Sequence, residues 1–109
     1  MALDITTLLN AMITAAQGSL SASIPSLTQP AQAAFKALAQ NLVDIEQMKL
    51  DGTCTQEQAE LLINMQKQAV QTVLLTEKGL ALLAVQNAIN AALGAIATTV
   101  NTAIGWALL

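Results

Sequence analysis

The chain has no histidine, no tyrosine, a single cysteine and very little charge, and each shortage closes off a class of function. Without histidine the commonest general base and the commonest metal ligand are missing. One cysteine cannot form an intramolecular disulfide. Charged residues make up 10% of the 109 residues, against a usual share of about a quarter. The net charge of −3 includes only four basic residues. No basic run could neutralise several phosphates together, which argues against nucleic acid as a partner.

Motifs are equally sparse. No phosphate loop, zinc spacing, calcium loop or dinucleotide fingerprint occurs. Asp44 and Glu46 are close in sequence but fall on different helix faces, so the expectation is two solvated carboxylates and no acid–base pair. Thr53-Cys54-Thr55 has no histidine to activate a nucleophile. Cys54 reads as a bystander thiol that could at most cross-link subunits. The sequence therefore predicts a non-enzymatic protein with no cofactor, no metal site, no small-molecule substrate and no nucleic-acid partner.

What the chain does have is apolar residues, 54% of the total. At this length it has room for one domain, able to bury a core if its helices pack well. Met1-Ala2-Leu3-Asp4 opens on an acid where a secretory signal would carry positive charge. No small-residue cleavage site follows a compact apolar core, so the expectation is synthesis in the cytoplasm without a signal peptide.

The charges are unevenly placed. Apart from Asp4, all lie between Lys36 and Lys78. This divides a single helical domain of 1–109 into an uncharged N-terminal arm with a Ser/Pro loop (1–35), a charged hairpin (36–78) and an uncharged C-terminal arm (79–109). Exposed helix faces normally carry Lys or Glu, so the two arms are expected to see little bulk water in the working state.

Ala, Leu, Gln and Met dominate and no stretch alternates with period two, which predicts an all-α chain. A first helix is expected from an N-cap at Asp4, with Ile5, Leu8, Leu9, Met12 and Ala16 on one face and Gly18 at its end. A Ser/Pro loop then covers 19–28. A second helix starts near Pro30, carries Phe35, Leu38, Leu42 and Ile45, and stops at Asp51-Gly52. Thr55-x-x-Gln58 fits a capping box, with Glu57 and Glu60 favourably placed near the start of a third helix. Its expected apolar stripe is Leu62, Met65, Ala69, Val73, Thr76 and Leu80.

A further stripe, Leu82, Val85, Ile89, Leu93, Ile96, Val100 and Ile104, runs on toward the C-terminus. Leu82, Leu93 and Ile104 are eleven residues apart, a repeat that favours straight or gently right-handed packing. Lys78-Gly79 also fits a C-terminal cap, but no proline or polar cluster follows it. The reading therefore favours one long helix over about 55–108, roughly 80 Å at 1.5 Å per residue. The expected fold is a helical hairpin in which two shorter N-terminal helices pack along this long helix. They cannot cover it, so a multi-helix oligomer, coiled-coil-like in its packing, is expected to do so.

Opposite the apolar stripe of the C-terminal arm lies a polar stripe, Asn87, Asn90, Thr98 and Asn101, with Gly94 and Gly105 along the same line. Ala84, Ala88, Ala91, Ala92 and Ala95 permit close helix approach. The arm is thus amphipathic without ionic groups. Three functions fit it. The first is a structural protein that self-associates through the Leu82 to Ile104 stripe into a ring, tube or filament, such as a component of a virion or secreted assembly. The second is a membrane-inserting pore or translocation component whose Asn/Thr line faces water. The third is a small helical adaptor or chaperone. The expected partners are copies of the chain itself, with a membrane or a larger protein assembly as the alternatives. Trp106 could anchor at a membrane interface, plug a neighbour's groove or pack in a core.

Overall fold

A computed structural model of the chain describes residues 3–20, 27–76 and 80–109. It contains four helices, α1 (Ile5–Leu20), α2 (Gln29–Leu50), α3 (Gln56–Leu75) and α4 (Leu82–Ile104), and no strand among the described residues.

Local chemistry sets most of the helix ends. At the start of α1 the Asp4 carboxylate accepts the backbone N–H of Thr7 at 2.9 Å and its hydroxyl at 2.8 Å, satisfying an N–H that has no intrahelical partner. Gly18 does not end this helix. Leu8, Met12, Ala16 and Leu20 form one buried line. Burying Leu20 outweighs the cost of about 1 kcal/mol for a glycine in a helix. Ser19 and Leu20, expected in the loop, are therefore helical, while 21–26 of that loop lie outside the described residues.

α2 begins near Pro30 as expected and ends at Asp51, and Thr28, the last residue of the expected loop, serves as its N-cap. Gly52 follows at φ +73°, a left-handed conformation that glycine adopts without steric cost. Phe35, Leu38, Leu42 and Ile45 are all fully buried. The capping box is formed: Thr55 Oγ1 accepts the Gln58 N–H at 3.1 Å, and Gln58 Oε1 accepts the Thr55 N–H at 2.9 Å.

The long helix over 55–108 is not present. α3 ends at Leu75, where the N–H of Thr76 bonds Val73 O at 3.1 Å and its hydroxyl donates to the same carbonyl at 2.6 Å. The chain resumes as α4 from Ala81, which is extended and offers no side-chain cap. The candidate break at Gly79 itself lies outside the described residues. Folding back in this region brings the α4 stripe into the same core as α1 and α2. Along a continuous helix the two shorter helices could have covered only part of its length. α1 packs chiefly on α4 and α2 chiefly on α3, while α1 and α3 make no contact among the described residues.

The result is a four-helix bundle of 43 × 22 × 21 Å. Val85, Ala88, Ile89, Ala92, Leu93, Ile96, Val100 and Ile104 of α4 are buried, and Ala16 of α1 is buried with them. Small residues at a contact allow helix axes to approach closely. The chain exposes 5831 Å², against about 5,700 Å² for an average folded monomer of 11.3 kDa. Most of the apolar stripe of α4 is therefore covered within one chain.

The buried line of α3 also differs from the expected one. Ala59, Ile63, Val70 and Leu74 face inward, whereas Met65, Ala69 and Thr76 are exposed and Leu62 and Val73 are only partly buried. α3 carries two apolar lines at helical spacing. The bundle takes the one that includes Ile63, Val70 and Leu74.

Candidate association surface

The seven residues expected to mediate self-association divide sharply. Val85, Ile89, Leu93, Ile96, Val100 and Ile104 are buried within the chain, and only Leu82 is exposed. Apart from Leu82, this stripe is part of the bundle core and is covered within the folded chain. The polar stripe is where the sequence placed it: Asn87, Asn90 and Thr98 are exposed and Asn101 is partly buried.

The apolar surface that remains lies elsewhere. Leu61 is 62% exposed and Met65 56%, one helical turn apart on α3 and therefore on one face. Leu50, the last residue of α2, is exposed at the same end of the bundle, beside the α2–α3 turn. A shallow, mainly apolar depression of about 310 Å³ lies there, lined by Met48, Thr53, Cys54, Gln58, Leu61 and Leu62. At the other end of α3, Leu75, Leu82 and Leu83 are exposed around the α3–α4 connection, Leu83 to 69%. Leu61 and Leu75 are separated by roughly 20 Å along the helix axis. One chain thus presents one apolar patch on the N-terminal half of α3 and another around the α3–α4 connection, formed by Leu75 of α3 and Leu82 and Leu83 of α4. Sequence reasoning assigned Met65 to the core and passed over Leu61, Leu75 and Leu83. The available signal was the second apolar phase of α3.

Between α3 and α4 runs a groove with a different character. One part, about 400 Å³, is lined by the side-chain amides of Asn64, Gln68, Gln71, Gln86 and Asn90 together with Lys67 and Ile89. Lys67 and Asn90 also line an adjoining cavity of about 290 Å³ with Leu93, Gly94, Ala97, Leu108 and Leu109. Asn101 holds the backbone there. Its Oδ1 accepts the N–H groups of Leu108 at 2.9 Å and Leu109 at 3.0 Å, and its Nδ2 donates to Leu109 O at 3.1 Å.

Several charged groups have structural partners. Glu46, expected to face solvent, is buried at 4% exposure, and its Oε1 accepts the Leu3 N–H at 3.2 Å. Asp44 is exposed as expected and accepts from Gln40 Nε2 at 2.8 Å. Lys49, in the last turn of α2, donates to Ile104 O at the end of α4, and its Nζ lies 5.1 Å from the centre of the Trp106 ring. Trp106 is partly buried at this contact. The two hydrogen bonds from Thr7 hold the Asp4 carboxyl below its ordinary value of 3.8. Cys54 is a free, partly buried thiol. Among the described residues no group of three His, Cys, Asp or Glu side chains could hold a metal ion.

No family model, curated protein or solved structure matches this chain.

Proposed function

We propose that this chain is a non-enzymatic assembly protein whose folded bundles associate with one another through these two apolar patches. The observation that carries this reading is the pairing of exposed Leu61 and Met65 on the N-terminal half of α3 with exposed Leu75, Leu82 and Leu83 around the α3–α4 connection. Removing such side chains from water is worth about 25 cal/mol per Å² of apolar surface. A net charge of only −3 sets little repulsion against it. Two separate patches on one copy favour head-to-tail contact, which yields a ring where the rotation closes and a tube or filament where it does not.

Complementation tests this directly. Leu61→Glu with Met65→Glu removes one patch, and Leu75→Glu with Leu83→Glu removes the other. Each variant alone should remain at monomer mass, and an equal mixture should form heterodimers through the two intact patches. A mixture that stays monomeric while wild type assembles would refute head-to-tail pairing. One stoichiometric foreign partner, with no self-association, would favour an adaptor.

A second reading rests on α4, which has 23 uncharged residues and is long and apolar enough to cross a membrane. In that reading α4 leaves the bundle and turns Asn87, Asn90, Thr98 and Asn101 toward an aqueous path. Asn90→Leu would then change leakage from loaded vesicles while leaving binding to them intact. Absence of leakage from vesicles exposed to the wild-type chain would eliminate this reading.

A further inference from the structure

The segment after α4 folds back through a single residue. Gly105 has φ +86°, and its N–H bonds Asn101 O at 2.8 Å in a left-handed helix cap. The backbone then returns along α4, so that Leu108 and Leu109 form one wall of the cavity whose other walls are Lys67 of α3 and Asn90, Leu93, Gly94 and Ala97 of α4. Leu108 and Leu109 are partly buried against the core, and three hydrogen bonds with one side chain, two accepted and one donated by Asn101, fix them there. Leu108 and Leu109, at the end of segment 106–109, thus act as a short ligand for the α3–α4 groove, supplied by the same chain.

We infer that this groove also accepts segment 106–109 of a second copy, making the segment a latch exchangeable between bundles. Neither the Asn101 bonds nor the apolar wall depends on which chain supplies Leu108 and Leu109. What selects the chain's own segment is the hinge. Gly105 in the left-handed region turns the backbone home, and a short tether gives that segment an effective concentration of the order of mM. A Cβ at this position would stand 2.5 Å from Lys49 Nζ, and a non-glycine residue disfavours the positive φ. Substitution at Gly105 therefore opens the return path and displaces the Lys49 ammonium, while the residues that line the groove, Lys67, Asn90, Leu93, Gly94 and Ala97, are unchanged, a condition under which exchange between copies is favoured. The latch is separate from the two apolar patches, whose association would serve it only by raising local concentration.

The test is a cross-link that only exchange can form. Two full-length chains carry Cys54→Ser and Gly105→Val, one with Ala97→Cys and the other with Leu108→Cys, both positions lining the same cavity. Mixed under mild oxidation, they should give the 97–108 disulfide between chains, at least tenfold more than the same pair with Gly105 retained. Adding Asn101→Ala should remove it. Gly105→Ala makes the same demand on φ with a smaller side chain and serves if the valine variant folds poorly. Absence of the mixed disulfide in a folded variant, or a disulfide that persists at equal yield with Asn101→Ala, would overturn the proposal. The cross-link should survive Leu61→Glu with Met65→Glu, so its loss and the loss of patch-mediated assembly are distinguishable.

Discussion

Lys49 illustrates how one side chain can close a bundle end in a protein with so little charge. Its ammonium meets the carbonyl of Ile104, at the negative end of the α4 dipole, and the face of Trp106. Lys49→Met keeps most of the stem and removes the charge, so Trp106 should become more accessible to a collisional quencher and its emission should shift. Unchanged Trp106 fluorescence would show that the contact does not hold the ring. Asp4 acts at the same end of the bundle, where Leu3 meets Glu46 of α2. Its folded carboxyl is held below 3.8 by the Thr7 hydrogen bonds. The contribution is therefore fully present above that value and is lost as pH falls through the lowered folded one. The difference in thermal midpoint between wild type and Asp4→Ala, followed by circular dichroism, should be present at neutral pH and shrink in acid. Neither Lys49–Ile104 nor Leu3–Glu46 was legible in the sequence, because such pairs lie far apart along the chain and carry no periodic signal. The Asp4 cap was legible, because its partner is three residues away.

The same distinction holds for the helices. α2 was readable almost to the residue, since Pro30 and Asp51-Gly52 mark its ends locally and Phe35, Leu38, Leu42 and Ile45 mark one unambiguous face. The break between α3 and α4 was not. Ile63, Leu74, Val85 and Ile96, all buried, follow one another at eleven-residue intervals. Apolar phase therefore runs through the break unaltered, and periodicity cannot tell one long helix from two folded on each other. The inward face of α3 was hidden for a related reason, as its two apolar lines are distinguished only by what packs against them. Ile89 shows the consequence. As an interface residue its replacement by Glu would abolish assembly and spare the fold. As the buried residue it is, at 4% exposure, Ile89→Glu places an unpaired charge in the core at a cost of several kcal/mol. The variant should lose helical ellipticity or unfold at a much lower urea concentration, even when dilute. A natively stable Ile89→Glu chain would contradict the bundle.

At the scale of the molecule, the all-helical class and the surplus of apolar residues were plain from composition, but the place of the surplus was not. The uncharged C-terminal arm drew attention as the sticky element, yet most of its apolar stripe is consumed within the chain. The exposed surplus sits mainly on α3 and around its ends, in and beside the segment that looked solvated because its charges are there. Glu57 and Glu60 lie close in sequence to Leu61, so a window of charge conceals an apolar face one turn on.

The most direct test of the central claim, that folded bundles associate through these patches, is the absolute mass of the wild-type chain by light scattering after size exclusion, taken over a wide range of concentrations in plain buffer. Mass should rise with concentration above 11.3 kDa while helical content stays constant, and Leu61→Glu with Met65→Glu should hold it at the monomer. A wild-type chain that remains at 11.3 kDa throughout would contradict the account.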